Sequence, residues 1–232
     1  MTMRLIIKGL VRYGLWASGG KAMAVILLTL GLFVPRAEAQ DLRILALGDS
    51  LTQGYGLVQG DGLVPQLAQW LQAHGTPDDA PVRLINGGVS GSTTAGGAAR
   101  VAWALEGGAE AMIVALGGND LLRGIDPNVS RANLEKILKE AAMRDVPVLL
   151  VGLRAPGNYG ADFQTAFEGM YVDLAQAYDT LLWVDMFEPF PLDPGARAVF
   201  FQADGIHPNA TGVARIVEVL GPHVQALIAR AQ

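Results

Sequence analysis

The sequence contains no cysteine and only three histidines among its 232 residues. The first absence excludes disulfides, thiolate zinc sites, iron–sulfur clusters and a cysteine nucleophile. The second leaves too few imidazoles for a three-histidine metal centre without long-range convergence, so no metal is expected. Basic charge is also short, with 17 Lys and Arg against 22 Asp and Glu, and no basic stripe is present to neutralise a phosphate backbone. Nucleic acid is therefore not an expected partner. Phosphate-binding loops are missing too: there is no GxxxxGK[ST], and Gly54-Tyr55-Gly56-Leu57-Val58-Gln59-Gly60 falls one residue off the dinucleotide spacing. A GxSxG elbow, the mark of the common α/β-hydrolase lineage, is absent as well.

What is present divides at residue 39. Arg4, Lys8, Arg12 and Lys21 precede an uncharged apolar run from Ala22 to Val34, and Ala37-Glu38-Ala39 supplies an A-x-A cleavage site before Gln40. Residues 1–39 are thus expected to be a signal peptide and 40–232 one catalytic-sized domain; the 13-residue run is short for a membrane span, which needs about 20. The leader takes five of the 17 basic residues and one of the 22 acidic ones, leaving 12 against 21 and a net charge of −9. The expectation is an acidic, exported protein, periplasmic or secreted further, with no stable span after cleavage.

The remainder alternates apolar runs with helical stripes. Strands are expected at Leu42–Leu47, Pro81–Ile85, Ala111–Leu116, Pro147–Leu153 and Leu181–Val184. Helices are expected where Leu63, Leu67, Trp70 and Leu71 recur, over Thr94–Leu105, from about Ser130, over Phe163–Tyr178, and at Val213–Ile228 with a kink at Gly221-Pro222. Such alternation with strands buried on both faces predicts an α/β fold, a three-layer α/β/α sandwich around a five-stranded parallel sheet, with ligands beyond the carboxyl ends of the strands.

Residues capable of chemistry fall at those ends. Asp204-Gly205-Ile206-His207 places a carboxylate and an imidazole three residues apart around a glycine turn, a spacing that lets the Asp hold the tautomer of a general base. His74 and His223 lie on helices, where a solvated or capping role accounts for them. Four serines follow residue 39: Ser130 reads as a helix N-cap, Ser90 and Ser92 as turn and cap residues, and Ser50, at the end of the first strand, as the candidate nucleophile. Gly91 and Asn119 offer a backbone and a side-chain donor for a developing oxyanion. Taken singly, each of these features also has a plainer reading as a turn or cap.

Taken in order they resemble the SGNH (GDSL-type) hydrolases: Gly48-Asp49-Ser50-Leu51, Val89-Ser90-Gly91, Gly117-Gly118-Asn119-Asp120 and Asp204-Gly205-Ile206-His207-Pro208 match that family's blocks across nearly the whole chain after residue 39. Leu116–Gly124 and Arg154–Gly160 are similar to its exported bacterial branch of acyl-CoA thioesterases, lysophospholipases and arylesterases. The resemblance implies a flavodoxin-like SGNH-hydrolase fold and a serine esterase acting on small-molecule esters or thioesters without metal or organic cofactor. It implies Ser50 as nucleophile, His207 as base and then acid, and Asp204 as its orienting partner. The Ser50 amide, the Gly91 amide and the Asn119 side chain would form the oxyanion hole. Ser92 departs from the acidic residue that relatives often carry after the glycine, leaving the polarity there open. Leu121, Leu122, Ile125, Pro156 and Tyr159 are expected either to line an apolar acyl groove or to pack as a lid. A carbohydrate O-acetylesterase is the enzymatic alternative, and a silent binding module the alternative from another class.

Overall fold

The run Leu42–Gly48 is apolar but for Arg43 and forms β1, the strand around which the sheet is built. The computed structural model describes residues 41–232; the expected leader lies outside the described residues. Four further strands follow in the chain, β2 (Val82–Gly88), β3 (Ala111–Ala115), β4 (Val148–Val151) and β5 (Leu181–Trp183). All neighbours pair in parallel in the order β2-β1-β3-β4-β5. The three central strands are almost wholly buried, as strands covered on both faces must be.

Helices α1 (Ser50–Gln53), α2 (Leu63–His74), α3 (Thr94–Glu106), α4 (Gly118–Leu122), α5 (Pro127–Ala142), α6 (Ala161–Ala177), α7 (Pro194–Ala198) and α8 (Ala210–Ala231) connect and cover the strands. α2 and α8 pack together on one face, and α3, α5 and α6 in succession on the other. α8 is long and apolar enough to cross a membrane by length and composition, but Val213, Ile216, Leu220, Val224, Leu227 and Ile228 are buried in the core. After β1 the chain steps to β2 on one side, then returns to build β3, β4 and β5 on the other. The carboxyl ends of β1 and β3 therefore flank a topological switch point, the place where sheets of this kind bind ligands.

Several boundaries differ from the sequence reading. β2 does not end before Asn86 but continues through Gly88, because Asn86, Gly87 and Gly88 pair in register with Ala46, Leu47 and Gly48. A side chain at Gly88 would meet the Gln53 backbone, so its absence lets α1 lie against the strand. α5 starts at Pro127 and not near Ser130, since Asp126 caps it and Pro127 occupies the first turn, where a missing N–H loses nothing. Ser130 is consequently no cap but a buried helix residue. Ser92 is not the cap of α3 either; Thr93 is, accepting from the Gly96 amide. α8 is continuous from Ala210 to Ala231 with Pro222 inside it, at the place where the kink is expected.

Candidate active site

Asp49 ends the β1 turn and caps α1, its side chain accepting from the Leu51 amide at 3.0 Å. Ser50 is thereby the first helical residue, with a backbone N–H that has no carbonyl one turn back to bond and points out of the helix start. Across the switch, Asp204 closes a turn on itself: Oδ1 accepts the amides of Ile206 at 2.9 Å and His207 at 3.0 Å, and Gly205 takes the positive φ of +68° that this turn requires. The other oxygen, Oδ2, lies 2.7 Å from His207 Nδ1. These bonds, led by the one from the His207 amide, hold the Asp204 carboxyl down to about 2. An ionised Asp204 accepts from Nδ1–H, which leaves Nε2 as the acceptor for the Ser50 hydroxyl at 2.9 Å.

The structure therefore brings Ser50, His207 and Asp204 into one hydrogen-bonded line. It leaves His74 and His223 elsewhere: His74 stacks on Trp70 with ring centroids 4.1 Å apart, and His223 lies against Trp183. Burial pulls the His223 imidazole below its ordinary value, against the opposing pull of Glu188.

The expected oxyanion donors sit on neighbouring elements. Val89–Ser92 is a tight turn closed by the Ser92 amide donating to the Val89 carbonyl at 3.0 Å, with Gly91 at φ +75°. Positive φ at the third position flips the central peptide, as in a type II turn, so only glycine serves there at no steric cost. The Gly91 N–H makes no hydrogen bond among the described residues. Asn119, in α4, donates from Nδ2 to Asp49 Oδ2 at 3.2 Å, which fixes the amide plane and leaves its second N–H available. Burial pushes the Asp49 carboxyl up, against the opposing pull of the Leu51 amide and Asn119.

Sequence reasoning missed the residues that hold these donors. Asp120 is fully buried and accepts from the Thr94 amide at 2.8 Å, the Thr94 hydroxyl at 2.5 Å and the Ser130 hydroxyl at 2.9 Å, joining the start of α3 to α4 and α5. Arg100 donates to the Ser92 hydroxyl and to the Gly48 carbonyl, both at 2.6 Å, so the departure at Ser92 keeps a polar acceptor for this guanidinium. Tyr55 lies over the His207 ring with centroids 4.7 Å apart, and Gln202 donates to the Tyr55 carbonyl at 2.8 Å. Tyr55 carried one legible signal, its place a few residues after Ser50; Asp120 stood in the Gly117-Gly118-Asn119-Asp120 block with no role attached to it, and Arg100 carried no signal beyond its charge.

A narrow apolar crevice beside Ser50 and His207 is lined by Leu51, Tyr55, Leu57, Leu63, Met186 and Val213. None of the five residues expected at an acyl groove lines this crevice. Leu121 and Ile125 are half-buried, Leu122 and Pro156 exposed, and the Tyr159 hydroxyl donates to the Leu121 carbonyl at 2.6 Å, tying the loop after β4 to α4. Among the described residues no group of three His, Asp or Glu side chains is placed to hold a metal ion.

Residues 46–215 match the model of the GDSL-like Lipase/Acylhydrolase family. The chain is 36% identical over 203 residues to Esterase TesA of Pseudomonas aeruginosa, covering 87% of this chain and 96% of that one. It is 32% identical over 202 residues to Thioesterase 1/protease 1/lysophospholipase L1 of Escherichia coli strain K12, covering 87% and 91% respectively. Among solved structures, AlinE4, an SGNH-hydrolase family esterase, superposes with a TM-score of 0.65 at 42% identity over 80% of this chain and 95% of its own.

Proposed function

The chain belongs to the GDSL-like lipase/acylhydrolase family and is a serine esterase, and we propose that it cleaves carboxylic esters and thioesters through an acyl-enzyme on Ser50. The observation that carries this reading is the line Asp204 Oδ2, His207 Nδ1, His207 Nε2 and Ser50 Oγ, spaced at 2.7 and 2.9 Å at the switch point of the sheet.

In this reading Ser50 Oγ attacks the carbonyl carbon while its proton passes to His207 Nε2. Asp204 holds the ring and stabilises the imidazolium without itself taking the proton. Charge gathering on the carbonyl oxygen is met by the Ser50 and Gly91 amides and the free Asn119 N–H, donors already fixed before reaction. The tetrahedral intermediate collapses, the carbon to leaving-group bond breaks, and Nε2–H protonates the departing alcohol or thiol. Water then enters, gives one proton to Nε2 and adds its oxygen to the acyl carbon; the second tetrahedral intermediate collapses, the bond from that carbon to Ser50 Oγ breaks, Nε2–H returns the proton to Oγ, and the carboxylic acid leaves.

The substrates proposed are aryl esters, fatty acyl esters, acyl-CoA thioesters and lysophospholipids, with acyl chains running along the apolar flank of Leu121, Leu122, Ile125, Pro156 and Tyr159. The leader motif supports export to the periplasm, and mass spectrometry of the exported protein should find Gln40 at its N-terminus. The decisive experiment is hydrolysis of p-nitrophenyl esters from acetyl to palmitoyl beside Ser50→Ala and Asp204→Ala. Turnover should fall about a millionfold in the first and roughly 10⁴-fold in the second. More than a few per cent of activity left in Ser50→Ala refutes the assignment, and activity confined to acetyl esters transfers the reading to sugar O-acetyl groups.

A further inference from the structure

Arg123 follows α4 directly and reaches back across the site rim. Its Nη2 donates to the Gly91 carbonyl at 2.9 Å, on the turn whose Gly91 amide the proposed mechanism uses. A Cβ built on Gly91 would lie 3.7 Å from the same nitrogen, so the guanidinium stands against the solvent side of this turn. Arg123 is exposed, and among the described residues no carboxylate pairs with it. The neighbouring cations are engaged differently. Arg154 meets Asp185 at 3.5 Å, Arg100 is half-buried with its donors on Gly48 and Ser92 and the charge of Asp49 acting on it, and Arg197 lies over the Phe187, Phe190 and Phe201 rings.

A carbonyl orients a guanidinium but leaves its charge whole, and four of the five N–H donors of Arg123 remain for another acceptor. The charge balance sharpens the point. The chain after residue 39 carries −9, a net field that repels anions, while Arg123 is an exposed cation bonded to the carbonyl of the residue whose amide is read as an oxyanion donor. The nearby carboxylate Asp49 faces inward and is buried, and so is Asp120 with its three neutral donors.

We propose that Arg123 is an anion subsite that selects esters carrying a phosphate, sulfonate or carboxylate a few bonds from the scissile carbonyl. The proposal rests on the reading of Gly91 as an oxyanion donor and names the substrate charge that the same site prefers. Its guanidinium fork suits such oxyanions in two-point contact.

The test uses three esters: phenyl butyrate, its 4-sulfonated analogue, and phenyl hydrogen succinate, which carries the anion on the acyl side. The ratio of kcat/KM for each anionic ester to that for phenyl butyrate cancels any loss of folded enzyme. Intrinsic reactivity cancels when wild type is compared with Arg123→Gln and Arg123→Lys. Wild type should exceed Arg123→Gln in at least one ratio by about fivefold at low salt, the upper range for a solvent-exposed charge pair. The difference should lie in KM, as expected for binding shared by ground and transition states. Arg123→Lys, which keeps the charge but loses the fork, should retain only part of it. In wild type alone, raising the salt to about 0.5 M should depress the anionic ester selectively, because exposed charges are screened. Equal ratios in wild type and Arg123→Gln for both anionic esters overturn the subsite while leaving the Ser50 reading intact. Failure of wild type to hydrolyse any of the three overturns that reading and this proposal with it.

Discussion

Asp120 offers the sharpest check on how the site is held. Among the described residues no cation touches it; it is a buried carboxylate surrounded by three neutral donors, with Thr94 N–H on Oδ2 and the Thr94 and Ser130 hydroxyls sharing Oδ1. Asp120→Ala strands all three. The two hydroxyls can turn, and the Thr94 hydroxyl also accepts from Asn133 at 3.2 Å, but the Thr94 amide cannot turn. At about 1–3 kcal/mol for each stranded buried group, softened by the mobile hydroxyls, the loss comes to roughly 4 kcal/mol. For a domain of this size that is a fall in melting temperature of about 8–16 °C. Asp120→Asn behaves differently. With its oxygen toward the Thr94 amide, its NH₂ donates to two hydroxyls that rotate to accept, and a buried charge is removed at the same time, so its melting temperature should fall by less than half as much. Turnover follows the same order, because Thr94 opens the helix that follows the Gly91 turn and Asn119 precedes Asp120. The alanine variant should lose at least about tenfold in kcat, short of the roughly 100-fold or more that removal of an oxyanion donor causes. Calorimetry and a p-nitrophenyl ester assay read both quantities. An alanine variant melting within 3 °C of wild type, or an asparagine variant as unstable as the alanine one, refutes the reasoning.

Asp204 is held down to about 2 in the folded protein, below its ordinary value, so its bonds stabilise the fold above the unfolded carboxyl value and lose that effect as pH falls from about 4 to about 2. The melting-temperature gap between wild type and Asp204→Asn should therefore narrow across that window; a gap unchanged down to pH 2 contradicts it. On the opposite face, a Cβ on Gly221 would lie 2.4 Å from the Trp70 ring, and Trp70 is fixed by His74 stacking and by its bond to Glu218 at 3.1 Å. Gly221→Ala should destabilise by about 1–3 kcal/mol in urea unfolding, and a second change, Trp70→Leu, should recover part of that loss; an unchanged midpoint shows that α2 and α8 separate freely.

The fold and the reactive line were legible for different reasons. Strands β1, β3 and β4 announce themselves because burial on both faces forces uninterrupted apolar runs, and Leu63, Leu67, Trp70 and Leu71 announce α2 because one covered face forces a helical period. Ser50, His207 and Asp204 were found by scarcity: with four serines after residue 39, three histidines and no cysteine, few pairings could do acyl transfer. Where local signals misled, pairing over distance had prevailed. Asn86-Gly87-Gly88 reads as a turn, yet β1 imposes strand geometry on it; Ser130 reads as a cap, yet Asp126 and Pro127 already open that helix.

The residues that keep the donors in place were illegible for a related reason. Asp49 meets Asn119 across 70 positions, Asp120 meets Thr94 across 26, and Gln202 meets the Tyr55 carbonyl across 147. No period or spacing encodes such contacts; they exist only once the switch point has drawn the ends of β1, β2 and β3 and the loop after β5 together. A nucleophile and its base can thus be picked out by residue type, because their chemistry is intrinsic to the side chain. The groups that hold them are polar residues of ordinary kinds, made specific by burial, and removing one should lower turnover and melting temperature together. Loss of Ser50 should leave the melting temperature nearly unchanged, since its hydroxyl serves only the imidazole beside it.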